Sequence, residues 1–300
     1  MLQSFDSRNK DLKININGEL FHRDDAGISP FDSVVQGGDG VWEGLRLYNN
    51  RIFQLDEHLN RLRHSAQAMA FKNIPSNEEL TAEIAKTLAA NNMHDGVHIR
   101  LTLTRGKKIT SGMDPRLNQD GNTLIVLAEF KEPVYDTSGL TLATSSIRRF
   151  SPDTLDPKIH SCNLIQSIMA KIEATAAGAD DALMLDSRGF IAETNATHLF
   201  FVKNNVVLTS RAIACPEGIT RQVVIDLCHE HNIEIRIKDC TQAELYRADE
   251  CFCTGTMGEL ASVTTVDGRT IGSGSIGPLT IRLAELFKSL VNNSGKQIVQ

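Results

Sequence analysis

Three kinds of chemical group recur in the second half of the chain: an amine, a carboxylate and backbone amides able to hold an anion. The amine is Lys158, a lone lysine in "TLDPKIHSCNLIQSIMAKIEA" that separates a proline from an apolar run reading as a helix. Taken alone, it is an ordinary solvated lysine at a helix entrance. The carboxylate is Glu193, which closes the strand-like run "FIAE" ahead of the turn "TNAT". The anion site is "EGITRQVV", where a glycine precedes Ile219, Thr220 and Arg221 at a helix start. Unpaired N–H groups and the helix dipole favour a negative charge there. Thr220 also reads as a plain N-cap. In "CTGTMGE", Gly255 lets backbone approach an anion closely and Thr256 adds a hydroxyl.

These groups need elements to carry them. In the first part, "ININGELF" and "GVWEGLRLY" read as strands, and "LYNNRIFQL" as a hairpin turning at Asn49 and Asn50. "LDEHLNRLRHSAQAMAF" reads as a helix with Leu59, Leu62, Ala66 and Met69 on one face. A second helix opens with the capping box Ser76 and Glu79. "VHIRLTLT" alternates strictly, so that His98, Arg100, Thr102 and Thr104 share the polar face of a strand. That face is either solvated or lines a cleft. "TLIVLAEF" is a further strand, and "KEPVYDTSG" a linker. The division is therefore 1–130, a linker at 131–139, and 140–300. The second part carries the strand "LTLATSSI" and the lysine segment with its helix. Two hairpins follow, "DALMLD-SRG-FIAET" and "HLFFV-KNN-VVLT", then the helix "GITRQVVIDLCHEHN" and the strand "IEIRIKD". A capping box at Thr241 and Glu244 opens "TQAELYRA"; the strand "ECFCTGT" and the helix "GPLTIRLAELFKSLVNN" close the chain.

Composition narrows the function. At 41% hydrophobic and 23% charged, the 300 residues are those of an ordinary soluble globular protein with room for two cores, and the order of strands and helices reads as α/β (α+β). A formal net charge of −6 argues against nucleic acid as a partner. No apolar run is long enough to span a membrane, and the N-terminus lacks the apolar core of a signal peptide. Six cysteines without a CxxC pair read as reduced thiols in a cytoplasmic protein, with no metal site expected.

A phosphate cup, a carboxylate and an amine are the protein groups that pyridoxal phosphate requires. The same stretches carry a resemblance. "GFIAETNATHLFFVKNNVVLTSRAIACPEGITRQVV" is similar to the signature of the class IV aminotransferases, the fold-type IV pyridoxal phosphate family. That family includes branched-chain aminotransferase, D-amino acid transaminase and aminodeoxychorismate lyase. "GDGVWEGLRLYNNRIFQLDEHLNRLRHSA" resembles its N-terminal block and "ADECFCTGTMGELASVTTVDG" its C-terminal block, so the likeness spans nearly the whole chain.

The resemblance implies a two-domain enzyme with an N-terminal α/β sandwich and a C-terminal pseudo-barrel domain. It places Lys158 as the lysine joined to pyridoxal 5'-phosphate and Glu193 beside the pyridine nitrogen. Arg61, Ile219, Thr220 and Thr256 fall where the family holds the phosphate. Met257 and Gly258 fall at the turn near the substrate carboxylate, and Arg100 where branched-chain enzymes have an arginine for a substrate carboxylate. Trp42 stands for an aromatic pocket wall, with Arg46 in the same block. The chain departs from the branched-chain pattern at Gly37 and His98, where tyrosines are common. It departs again at His198, at Pro216, and at Asn163-Leu164, where the family often has Asn-Tyr one residue earlier. The implied reaction moves an amino group between a branched-chain L-amino acid and 2-oxoglutarate, with small amino acids and 2-oxo acids as partners and a homodimer as the working form. The alternatives are a D-amino acid transaminase, an aminodeoxychorismate lyase and a non-catalytic pyridoxal phosphate binder.

Overall fold

The computed structural model describes residues 4–133 and 139–299. Most of the expected linker, residues 134–138, lies outside the described residues. The chain forms two units.

The first unit holds residues 4–132, 159–163 and 291–299. Strands Lys13–Ile16 (β1) and Glu19–His22 (β2) form a hairpin. The expected single strand over "ININGELF" is thus corrected to two. Asn17 and Gly18 take φ of 51° and 84°, the left-handed values an Asn-Gly hairpin turn demands. The short helix Ser33–Gly37 (α1) leads to Gly40–Tyr48 (β3), which turns through Asn49 and Asn50, both left-handed, into Arg51–Ile52 (β4). Helix Leu55–Ala68 (α2) follows, then Asn77–Ala90 (α3), whose capping box at Ser76 and Glu79 is formed in both directions. Strands Val97–Thr104 (β5) and Thr123–Phe130 (β6) complete the meander. The sheet runs β4-β3-β5-β6-β1-β2, with the C-terminal strand Lys296–Gln297 against β4. Leu59, Leu62 and Ala66 of α2 pack on β3, and Leu80, Ile84 and Leu88 of α3 pack on β6 and β1, in one core with the apolar residues of β3 and β5. The polar face of β3 and β5 is thereby the one turned away from the helices.

The segment Ile159–Asn163 belongs to this unit because it pairs alongside β3. Trp42 N–H donates to His160 O at 3.1 Å, and Cys162 N–H to Gly40 O at 2.8 Å.

The second unit holds residues 139–158 and 164–290. Its strands are Leu140–Thr144 (β7), Asp181–Leu185 (β8), Ile191–Thr194 (β9), His198–Lys203 (β10) and Val206–Ser210 (β11). Helix Ile165–Ala176 (α4) joins β7 to β8 and makes them parallel. Helix Ile219–Glu230 (α5) does the same for β11 and Ile235–Lys238 (β12). The one-turn helix Gln242–Leu245 (α6) carries its capping box from Thr241 and Glu244. Strands Glu250–Gly255 (β13), Glu259–Val266 (β14) and Arg269–Thr270 (β15) precede the closing helix Pro278–Asn293 (α7). The sheet order is β12-β11-β10-β13-β14-β7-β8-β9. Thr194 N–H donates to Thr197 O, which folds β9 back towards the foot of β10 and curls the sheet into a half-barrel. Leu183, Leu185, Leu199, Phe201, Cys251, Cys253 and Val263 fill its interior.

Candidate active site

In the second unit, Lys158, Glu193 and the start of α5 are brought together around Cys215. Glu193 is the penultimate residue of β9 and is almost wholly buried. Its Oε1 is paired with the Arg149 guanidinium, and its Oε2 stands 3.9 Å from His198 Nδ1. Cys215 Sγ lies within 4.8 Å of ligand atoms of both Glu193 and His198. Burial pushes the Cys215 thiol up to about 11, against the opposing charges of Arg221, Arg149 and Lys158. Three donor atoms of this kind would suit a metal ion, but the cations surrounding them oppose one. The Lys158 ammonium donates to Ala212 O at 3.2 Å.

Helix α5 begins at Ile219, and its N-cap is Gly218, with no side-chain hydrogen bond to the helix end. The expectation of Thr220 as N-cap is corrected: it sits inside the first turn and is buried. A cap side chain has no room, since a Cβ at Gly218 would lie 2.2 Å from His198 Nε2. The helical ladder starts with Gln222 N–H donating to Gly218 O at 2.9 Å. The amides of Ile219 and Thr220 precede it and point out of the helix end, where an anion is favoured. Thr256, Met257 and Gly258 form the turn from β13 to β14, with Gly258 N–H donating to Gly255 O at 3.2 Å. On β13, opposite His198, the Thr254 hydroxyl is buried with no hydrogen-bond partner among the described residues.

In the first unit, Trp42, Arg46, His98 and Arg100 share the polar face of β3 and β5, where Gly44 pairs with Arg100 and Arg46 with His98. The Arg100 guanidinium stacks 3.5 Å over the Trp42 ring, and the Trp42 ring stacks on His160 at 4.5 Å. Burial above all, with the charges of Lys131, Arg46 and Arg100, lowers the His98 imidazole to about 3. His98 Nε2 has no hydrogen-bond partner among the described residues. Arg61, on α2, does not stand on this face. Its Nε and Nη2 each donate at 2.7 Å to the fully buried Glu43 carboxylate on β3. Gly37 is the last residue of α1.

Two groups escape the sequence reading. Arg149 lies in "SIRRF", which carries no helical or strand period, and its partner Glu193 is 44 residues away. Glu43 reads as one polar residue in a strand. Only its place between Val41 and Leu45, both core residues, signals that its side chain points inward.

The family model for amino-transferase class IV matches residues 40–266. The branched-chain-amino-acid aminotransferase-like protein 2 of Arabidopsis thaliana is 52% identical over 284 residues, 94% of this chain and 51% of that protein. The chain thus spans about half the length of that relative. The D-alanine aminotransferase of Bacillus licheniformis is 32% identical, covering 96% of this chain and 100% of its own. Among solved structures, the T.th. branched-chain amino acid aminotransferase complexed with N-(5'-phosphopyridoxyl)-L-glutamate superposes with a TM-score of 0.87. It is 32% identical, and 95% of each chain is covered.

Proposed function

Because the chain belongs to the class IV aminotransferases, we propose that it is a pyridoxal 5'-phosphate-dependent transaminase. It moves an amino group between a branched-chain or similar apolar L-amino acid and 2-oxoglutarate. One observation carries this reading: the Lys158 amine and the buried Glu193 carboxylate converge on Cys215, in the unit that also holds the uncapped start of α5.

The residues fit the cofactor. A buried carboxylate suits a protonated ring nitrogen, and outward amides at Ile219 and Thr220 with the Thr256 hydroxyl suit a phosphate. When bound, the cofactor supplies an electron-accepting ring that acidifies the Cα–H of an amino acid. The chain does the rest. Lys158 Nζ would be the point of covalent attachment and, as a free amine, would take the Cα proton and hold it for return to the substrate–cofactor pair. Glu193 would hold a proton at the ring nitrogen, and the Arg149 guanidinium orients the Glu193 carboxylate. Met257 and Gly258 would bind the substrate carboxylate, and Trp42, His98 and Arg100 are the candidates for reading its side chain.

The test is chemical trapping. Borohydride reduction of the purified chain with pyridoxal 5'-phosphate should place the cofactor's mass on Lys158, and Lys158→Ala should carry none there and lose all transfer activity. A colourless protein, or an adduct on another lysine, overturns the reading.

Transfer from D-amino acids is the second reading, favoured by the D-alanine aminotransferase match and by His98 and Gly37. Coupled assays with L-leucine, D-alanine and aminodeoxychorismate separate the two transaminase readings from the lyase. The reading takes the enzyme as a cytoplasmic homodimer. In support, all six cysteines are free thiols, and Ile165, Ile168, Met169 and Ile172 form an exposed apolar stripe along α4. No helix among the described residues is long and apolar enough to cross a membrane.

A further inference from the structure

We propose that His160 is a positioning residue that fixes the Trp42 indole as a rigid wall for the substrate side chain. The inference rests on the reading above, in which Trp42 is a candidate for that role.

Trp42 stands partly exposed on the polar face of β3. Strand β5 brings Arg100 along one edge of β3, and the segment Ile159–Asn163 brings His160 along the other. Beyond its backbone pairing with β3, the segment grips the tryptophan directly. The His160 ring stacks on the indole, with centroids 4.5 Å apart and planes 26° apart. Its Nδ1 donates to Trp42 O at 2.6 Å. The indole Nε1 donates to Ser161 O at 3.1 Å. His160 is itself anchored: its N–H donates to Ser65 Oγ on α2 at 3.1 Å, and its Nδ1 lies 3.4 Å from Oε1 of the buried Glu43.

An indole kept for packing alone is covered by apolar side chains. This one is held by directional contacts and left partly open. A wall already in place costs no ordering when a ligand meets it. Imidazole suits the position, because it is flat enough to stack and carries a donor for the backbone carbonyl. Burial above all disfavours a second proton on it, despite the pull of Glu43, which leaves Arg100 as the cation beside the indole. Ile159–Asn163 is also the stretch in which the chain departs by one residue from the family pattern after Lys158, so the brace belongs to this chain's own spacing.

The chain has one tryptophan, so its emission reports this ring alone. His160→Ala should shift the emission of the cofactor-stripped chain to longer wavelength and admit acrylamide to the ring. In the holoenzyme it should raise the KM for L-leucine about tenfold, the worth of one aromatic pair, with kcat nearly unchanged. His160→Phe returns a flat ring and should restore both readings toward wild type. Unchanged emission or an unchanged KM in His160→Ala overturns the inference. So does a loss that His160→Phe fails to restore, or one that falls on kcat alone, since either marks a merely structural residue. If His160→Ala does not fold, His160→Gln, which keeps a donor for Trp42 O and has no ring, takes its place with the same expectations. A wild type that borohydride leaves without cofactor on Lys158 sinks the transaminase reading itself. A working wild type whose KM is unmoved by His160→Ala sinks only the role of His160.

Discussion

Arg100 is held over Trp42 so closely that its charge is shared between an aromatic face and whatever enters beside it. Cys162 is another neighbour, with a thiol pushed up to about 11 by burial despite Arg100, so it offers no negative charge at neutral pH. The guanidinium is therefore available to a substrate carboxylate, and the Trp42 ring to an apolar chain. Arg100→Met should lower kcat/KM for glutamate by roughly 10–100-fold, the worth of a lost hydrogen bond to a charged group. Leucine should change little. Equal losses in steady-state assays of both donors would remove Arg100 from the side-chain role. The alternation of "VHIRLTLT" makes this face legible, because period two separates it from the core without any knowledge of partners. Arg149 is not legible for the opposite reason: nothing local marks it, and its meaning comes only from a carboxylate brought in by β9.

At the scale of elements, the start of α5 is set by what packs on it rather than by propensity. Threonine is the better capping residue, and the sequence offers Thr220 for it. The structure instead places the N-cap two residues earlier, at Gly218, where His198 on β10 occupies the space a cap side chain would fill. The φ of Gly218, −68°, is open to any residue, so the glycine is required by space and not by backbone strain. Gly218→Ala should then cost about 1–3 kcal/mol, the range for an overpacked site. It should also weaken binding of pyridoxal 5'-phosphate by displacing the Ile219 and Thr220 amides. Thermal unfolding and an absorbance titration of the cofactor-stripped chain with pyridoxal 5'-phosphate check both; an unchanged Tm would show that His198 moves aside at no cost. The two capping boxes are legible from four residues each, since a cap is a local device. The Asn17-Gly18 hairpin is equally local and is hidden only by the apolar residues on either side of it.

At the scale of the whole molecule, the sequence shows two cores but not which residues return to the first. Ile159–Asn163 and the C-terminal strand rejoin it through pairings with β3 and β4 that no spacing announces. That return places His160 beside β3, the strand that pairs with His98's β5, so that burial disfavours the proton on two imidazoles of the first unit. The consequence is acid sensitivity. The unfolded chain protonates His98 near its ordinary value of 6.5, whereas the folded chain refuses the proton until about 3. Its stabilising effect is complete above pH 6.5 and is lost as pH falls through that window, because the unfolded state then binds more protons. The slope is at most about 1.4 kcal/mol per pH unit. His160, also lowered by burial, contributes in the same direction. Glu43 begins to contribute only as pH falls through the ordinary carboxylate value of 4.5, where the unfolded chain takes up a proton that the folded carboxylate refuses. Between about pH 6.5 and 5, His98→Gln should therefore flatten the fall of the urea midpoint without abolishing it. A variant whose midpoint falls as steeply as wild type would mean that His98 is reached by water and takes its proton at the ordinary value.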